Sequence, residues 1–75
     1  MDVFHEVKSI VAKYGHVDPD DITLDSTVDS LGLDSLSVID IGVGIEEHSG
    51  RQVDQEQIDS FTSIRDMVDF MAQDS

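Results

Sequence analysis

No cysteine occurs in the 75-residue chain, so neither a disulfide nor a thiolate metal site can help to hold it together. A composition without cysteine fits a reducing compartment. Cationic side chains are almost as scarce. Four lysines and arginines face 17 aspartates and glutamates, and the formal net charge is −13. Binding to phosphate backbones or anionic lipid surfaces requires Lys and Arg, which excludes nucleic acid and membrane as partners. No stretch reaches the roughly 18 apolar residues of a membrane span. The opening "MDVFHEVKSI" has neither the basic start nor the apolar run of a signal peptide. The expectation is a cytoplasmic monomer, steered by its charge toward basic patches on protein partners.

Crowded carboxylates repel one another once the chain is folded. Sodium chloride or a divalent cation is therefore expected to raise the melting temperature. A thermal transition that stays put between low and moderate salt, followed by circular dichroism, would count against this. The charge does not imply disorder, because 39% of residues are hydrophobic and recur with helical spacing. A chain of this length makes one small domain, spanning residues 1–75.

The spacing of Val3, Phe4, Val7, Ile10, Val11 and Tyr14 predicts a first helix from Val3 to Tyr14, capped by Asp2 and ended by Gly15. The only proline falls in the following segment, "GHVDPDDITLDSTVDSLG", which has no helical stripe. It reads as a long ordered loop held by Val17, Ile22, Leu24, Val28 and Leu31. A second helix is predicted from Ser35 to Ser49, between Asp34 as N-cap and Gly50. A short helical turn is expected near Asp54 to Asp59. A last helix follows Thr62 as N-cap and runs to about Ala72, burying Ile64, Met67, Val68 and Met71, with Phe61 as a staple. The fold class is all-α, a small four-helix bundle with three longer helices and one short one.

The second helix carries two apolar stripes. One is Val38, Ile41 and Ile45; the other is Leu36, Ile39 and Val43. A surface helix needs one stripe for its core. The second either widens the core contact or, flanked by Asp40, Glu46 and Glu47, offers a docking face to a partner with a basic rim.

At the start of this helix, in "LGLDSLSVIDI", stands Ser35. A catalytic serine needs a base within reach and an oxyanion site. His48 lies thirteen residues down the helix, about 20 Å away at 1.5 Å per residue. His5 and His16 belong to other segments, and "GLDSL" lacks the second glycine of a nucleophile elbow. Ser35 reads either as part of a plain Asp-Ser capping pair or as a hydroxyl that another enzyme modifies, since backbone N–H groups at a helix start favour a phosphate ester.

"LGLDSLSVIDI" resembles the attachment motif of acyl carrier proteins, in which an Asp-Ser-Leu triplet opens the second helix. The similarity extends over most of the chain, through "GIEEHSG" and "SFTSIRDMVDFM". It implies an acyl carrier domain in which Ser35 bears a 4'-phosphopantetheine taken from coenzyme A, whose thiol holds acyl groups as thioesters. The chain would then be no enzyme but the substrate of a phosphopantetheinyl transferase. Its further partners would be a ketosynthase, an acyltransferase or ligase, and other synthase enzymes with basic docking patches. By the same resemblance Asp34 supports the transferase reaction, and Leu36, Ile39, Asp40, Val43, Glu46 and Glu47 contact partners. Ile41, Ile45, Phe61, Ile64 and Val68 would line an interior where a short acyl chain shelters.

Gly42 and Gly44 depart from the larger residues usual in the family, Ser49 from an aromatic and Asp54 from a proline. These departures tilt the pathway from fatty-acid synthesis toward polyketide or other specialised synthesis. "LDSL" argues against a peptidyl carrier. An aminoacyl cargo and an acidic adaptor without a prosthetic group stand as alternatives. A calcium module does not fit. Counting from Asp18, the EF-hand glycine and glutamate positions hold Thr23 and Asp29.

Overall fold

Four α-helices carry the fold in a computed structural model that describes residues 2–73. They are α1 (Val3–Gly15), α2 (Ser35–Ser49), α3 (Gln55–Ser60) and α4 (Ile64–Ala72). A single 3₁₀ turn, Pro19–Asp21, lies in the α1–α2 loop. No strand forms among the described residues, only an isolated bridge between Thr27 and Ser63. The all-α bundle is the expected class.

Each α-helix starts at an acceptor side chain that takes a backbone N–H otherwise left without a partner. The Asp2 carboxylate accepts from Phe4 N–H at 3.1 Å, Asp34 from Ser37 N–H at 2.8 Å, and Asp54 from Gln57 N–H at 2.8 Å. At α4 the cap is Ser63 and not Thr62. Ser63 Oγ accepts from Asp66 N–H while the Asp66 carboxylate accepts from Ser63 N–H, a reciprocal box that needs a three-residue spacing. Thr62, one residue too far back, donates its hydroxyl to Asp66 Oδ2 at 2.8 Å.

These bonds favour ionised Asp66. The Thr62 hydroxyl first, and then the backbone N–H groups of Thr62 and Ser63, hold its carboxyl below the usual aspartate value. With the folded value depressed, Asp66 contributes stability above the unfolded pKa and loses it as pH falls through the folded one. Acid titration of thermal stability should therefore be shallower in Asp66→Asn than in the parent below about pH 4. Identical acid limbs would overturn this assignment.

The end of α1 differs from the expected one. Gly15 is the last helical residue, and His16 takes the left-handed conformation at φ 57°. Gly15 is instead a point of close approach, since a Cβ there would meet Leu33 Cδ2 at 2.8 Å. At α2 the expected pattern holds, with Gly50 at φ 76° and its N–H on Glu46 O.

The core joins Val7, Ile10 and Val11 of α1 to Ile41 and Ile45 of α2, with Ile64, Met67 and Met71 from α4. Phe70, outside the predicted stripe, is also buried. Its ring meets Phe61 edge to face at 5.7 Å, and the Arg51 guanidinium stacks on it at 4.1 Å from the centroid. Arg51 also donates to the Phe70 carbonyl, which ties the α2–α3 connection to the last turn of α4. Phe61 thus belongs to the core. Val68 is only half-buried.

The long loop is fastened to the start of α4. Val28 N–H donates to Thr62 O at 3.0 Å, and Ile64 N–H donates to Ser26 O at 2.9 Å. Ile22 is buried beneath it. These ties fix where the chain turns into α2.

Candidate functional site

Gly32, at φ 73°, lets the chain reverse before α2, and Leu33 N–H closes the turn on Val28 O at 2.9 Å. Asp34 follows in an extended conformation as the cap, and Ser35 is the first helical residue. Both are exposed. The Ser37 N–H, above all, holds the Asp34 carboxyl below the ordinary aspartate value, so it stays ionised at neutral pH. Ser37 itself is half-buried.

Beside Ser35 opens a cavity of about 330 Å³ between α2, α3 and the long loop. Val28, Leu33, Val38, Ile58 and Phe61 form its apolar wall, and Asp29, Asp34 and Asp59 carry its charge. No histidine, lysine or arginine lines it among the described residues. His5 and His48 line a different cavity, between α1 and α2, where His48 Nε2 lies 3.4 Å from Glu6 Oε1. Ser35 therefore has an accessible hydroxyl at a helix N-terminus, next to a recess that no histidine or lysine lines among the described residues. This arrangement fits a phosphodiester-linked arm and lacks the histidine that the usual hydrolytic serine relies on.

Of the interior residues expected to shelter a chain, only Phe61 reaches this cavity. Ile41, Ile45 and Ile64 are closed into the core, and Val68 packs against it. Val38 and Ile39 of α2 line the recess together with Ile58 of α3 and Val28 and Leu33 of the loop, and these last three are the ones that sequence spacing on α2 and α4 could not reveal.

Leu36, Ile39 and Val43 are 72%, 37% and 46% exposed. Together with exposed Asp40 and Glu47 they follow one another at three- and four-residue steps, an apolar and acidic ridge starting beside Ser35. Glu46 stands apart from it. It is half-buried, and its Oε1 accepts from Val53 N–H at 2.9 Å, holding the α2–α3 connection. Among the described residues no cluster of three or more His, Asp or Glu could hold a metal ion.

Gly42 and Gly44 are both buried. A Cβ on Gly44 would lie 2.5 Å from the Tyr14 ring, and one on Gly42 would lie 3.0 Å from Ile58 Cγ1. They are the points where α1 and α3 press against the α2 backbone.

The family model for the phosphopantetheine attachment site matches residues 5–71. The chain belongs to the acyl carrier protein family. It is 33% identical over 72 residues to the acyl carrier protein of Campylobacter hominis, covering 95% of this chain and 91% of that one. It is 31% identical over 72 residues to the acyl carrier protein of Clostridium perfringens, with 95% of each covered. Identity to the acyl carrier protein of Coprothermobacter proteolyticus is 31% over 70 residues, 92% of this chain and 85% of that one. The protein is thus a non-catalytic carrier whose prosthetic group is 4'-phosphopantetheine. No helix among the described residues is long and apolar enough to cross a membrane.

Proposed function

We propose that this carrier is modified on Ser35, and that the Leu36, Ile39, Asp40, Val43 and Glu47 ridge guides enzymes with basic docking patches to that point. The single observation behind the reading is an exposed hydroxyl at the first position of α2, beside a recess and at the head of an exposed apolar ridge. When bound, the arm supplies a thiol that holds acyl groups as thioesters. The chain itself contributes position. Ionised Asp34 fixes the helix start, the amide end of α2 favours the phosphate, and the apolar side chains give partners something to bury. Glu46 adds charge at one side of this face while it braces the α2–α3 connection.

For the pathway, the reading is polyketide or other specialised-metabolite synthesis, with fatty-acid synthesis as the alternative. Gly42, Gly44, Ser49 and Asp54 support it as departures from the family's usual residues. The attachment is tested by intact mass after incubation with coenzyme A and a broad phosphopantetheinyl transferase. A gain of one phosphopantetheine is expected, and an unchanged mass would overturn the reading. The pathway is tested by offering the loaded carrier to ketosynthases of both kinds. Faster elongation by the fatty-acid enzyme would reverse the assignment.

A further inference from the structure

Gly15 ends α1 where a side chain would collide with the segment that leads into Ser35. Its φ is not positive, unlike those of Gly32 and Gly50, so the backbone does not itself call for glycine there. The need is for space. A Cβ at position 15 would lie 2.8 Å from Leu33 Cδ2, while Ile41 Cδ1 and Val17 Cγ2 stand at an ordinary 3.5 Å. Leu33 is thus seated on bare backbone at the end of α1, half-buried against the core. Its N–H is held by Val28 O at 2.9 Å, and Asp34 follows it as the cap of α2. The Asp34 carboxylate accepts from Ser37 N–H at 2.8 Å, closing the turn that begins with Ser35. Planar peptide units link Leu33 to Ser35, which leaves few dihedrals to absorb a displacement of the leucine.

We propose that Gly15 is a positioning residue for the modification of Ser35: it seats Leu33 against α1, and the seated leucine sets where the serine hydroxyl meets its transferase. The inference rests on the reading that Ser35 bears the arm. In that reaction the serine oxygen forms a bond to the pantetheine-side phosphorus of coenzyme A. The pyrophosphate P–O bond breaks, adenosine bisphosphate leaves, and the serine proton passes to a base on the transferase. A side chain at position 15 pushes on Leu33, and the push reaches Ser35 through the Asp34 cap. In-line transfer depends on the distance and angle of the attacking oxygen, and a misplacement of about 1 Å slows such a step by up to about 100-fold. The exposed ridge on α2 is untouched, since the side chains nearest to Gly15 are Leu33, Ile41 and Val17. The loss therefore falls on kcat, and KM for the carrier stays as it is.

The test measures phosphopantetheine transfer from coenzyme A to the whole protein by a broad transferase, with kcat and KM determined separately. Gly15→Val should lower kcat roughly tenfold and leave KM within about twofold of the parent. Gly15→Ala should do the same more weakly, and it carries the test if the valine variant shows no cooperative melting transition. The second readout is the Asp34 carboxyl, titrated by NMR in the unmodified protein. In the parent the Ser37 N–H holds it below the ordinary aspartate value. A displaced cap loses that bond, so the midpoint in both Gly15 variants should rise toward the ordinary value. A side chain that merely weakened core packing would lower the melting temperature and move neither kcat nor Asp34. Leu33→Ala removes the colliding methyl, so adding Gly15→Ala to it should cost no further kcat. An unchanged kcat and Asp34 midpoint in a folded Gly15→Val would overturn the inference. So would an equal loss from Gly15→Ala with and without Leu33→Ala, because Leu33 would then not be the link. If the parent takes up no arm on Ser35, the attachment reading fails first, and this inference with it. A parent and a Gly15→Val that load equally fast sink this inference alone.

Discussion

Ser35→Ala is expected to take up no phosphopantetheine at all, while Ser37→Ala loads as the parent does. The two serines are two residues apart on one helix, and their surroundings differ. Ser35 is exposed at the first helical position and lines the cavity, whereas Ser37 is half-buried with its N–H committed to the Asp34 carboxylate. A transferase must bring the hydroxyl oxygen in line with the phosphorus of coenzyme A, which requires that oxygen to be open to solvent. No other hydroxyl occupies the first position of α2, so the loss should be complete. The substitution should leave the fold intact. Alanine is a better helix former than serine, and the side chain removed makes no hydrogen bond to the core, so stability should move by no more than about 0.5 kcal/mol. Intact mass and thermal denaturation on the same sample separate the two outcomes. Uptake by Ser35→Ala, or loss of uptake in Ser37→Ala, would move the attachment point.

How far this site was legible in the sequence depends on the kind of interaction that builds it. The limits of α2 were readable because Asp34 and Gly50 act locally, through a side-chain acceptor and a left-handed residue at the two helix ends. The exposure of Leu36, Ile39 and Val43 was readable as a surplus stripe, with its direction left open until the core was seen to close over Ile41 and Ile45. Other features depend on which segments meet in space. Glu46 belongs to the acidic run in sequence, yet its carboxylate holds the Val53 N–H. Phe70 lies off the predicted stripe, but Phe61 and Arg51 enclose its ring from other segments. The walls of the Ser35 cavity that face α2 come from α3 and the long loop, whose approach to α2 no periodicity encodes. Thr62 and Ser63 are equivalent as caps by residue type, and the position of Asp66 decides between them.

The two helix glycines show the same limit most clearly, and Gly44 carries the second large prediction. Judged locally, glycine inside a helix costs about 1 kcal/mol relative to alanine, so Gly44→Ala should stabilise the protein. The tertiary contact points the other way. A Cβ at position 44 would lie 2.5 and 2.8 Å from Cε2 and Cδ2 of Tyr14 and 2.9 Å from Ile10 Cγ2. Such separations force a shift, and the colliding atoms belong to a rigid ring and a buried isoleucine of α1. Overpacking of this kind costs about 1–3 kcal/mol, enough to cancel the propensity gain, and a larger side chain costs more. Gly44→Leu is therefore expected to lower stability by about 3 kcal/mol, a large part of the reserve of so small a domain. Gly44→Ala should come out less stable than Gly42→Ala, whose new methyl meets Ile58 of the short α3 at 3.0–3.1 Å and Val53 at an ordinary contact distance of 3.8 Å, with no separation under 3.0 Å. Replacing Tyr14 by leucine should recover part of the Gly44→Ala loss, because the ring is one side of the collision. Urea denaturation of the single and double variants measures that coupling directly. If Gly44→Ala is more stable than the parent, the seam between α1 and α2 yields freely and helix propensity governs the position. If it is less stable and Tyr14→Leu restores it, the close approach of α1 is the reason α2 carries glycine there.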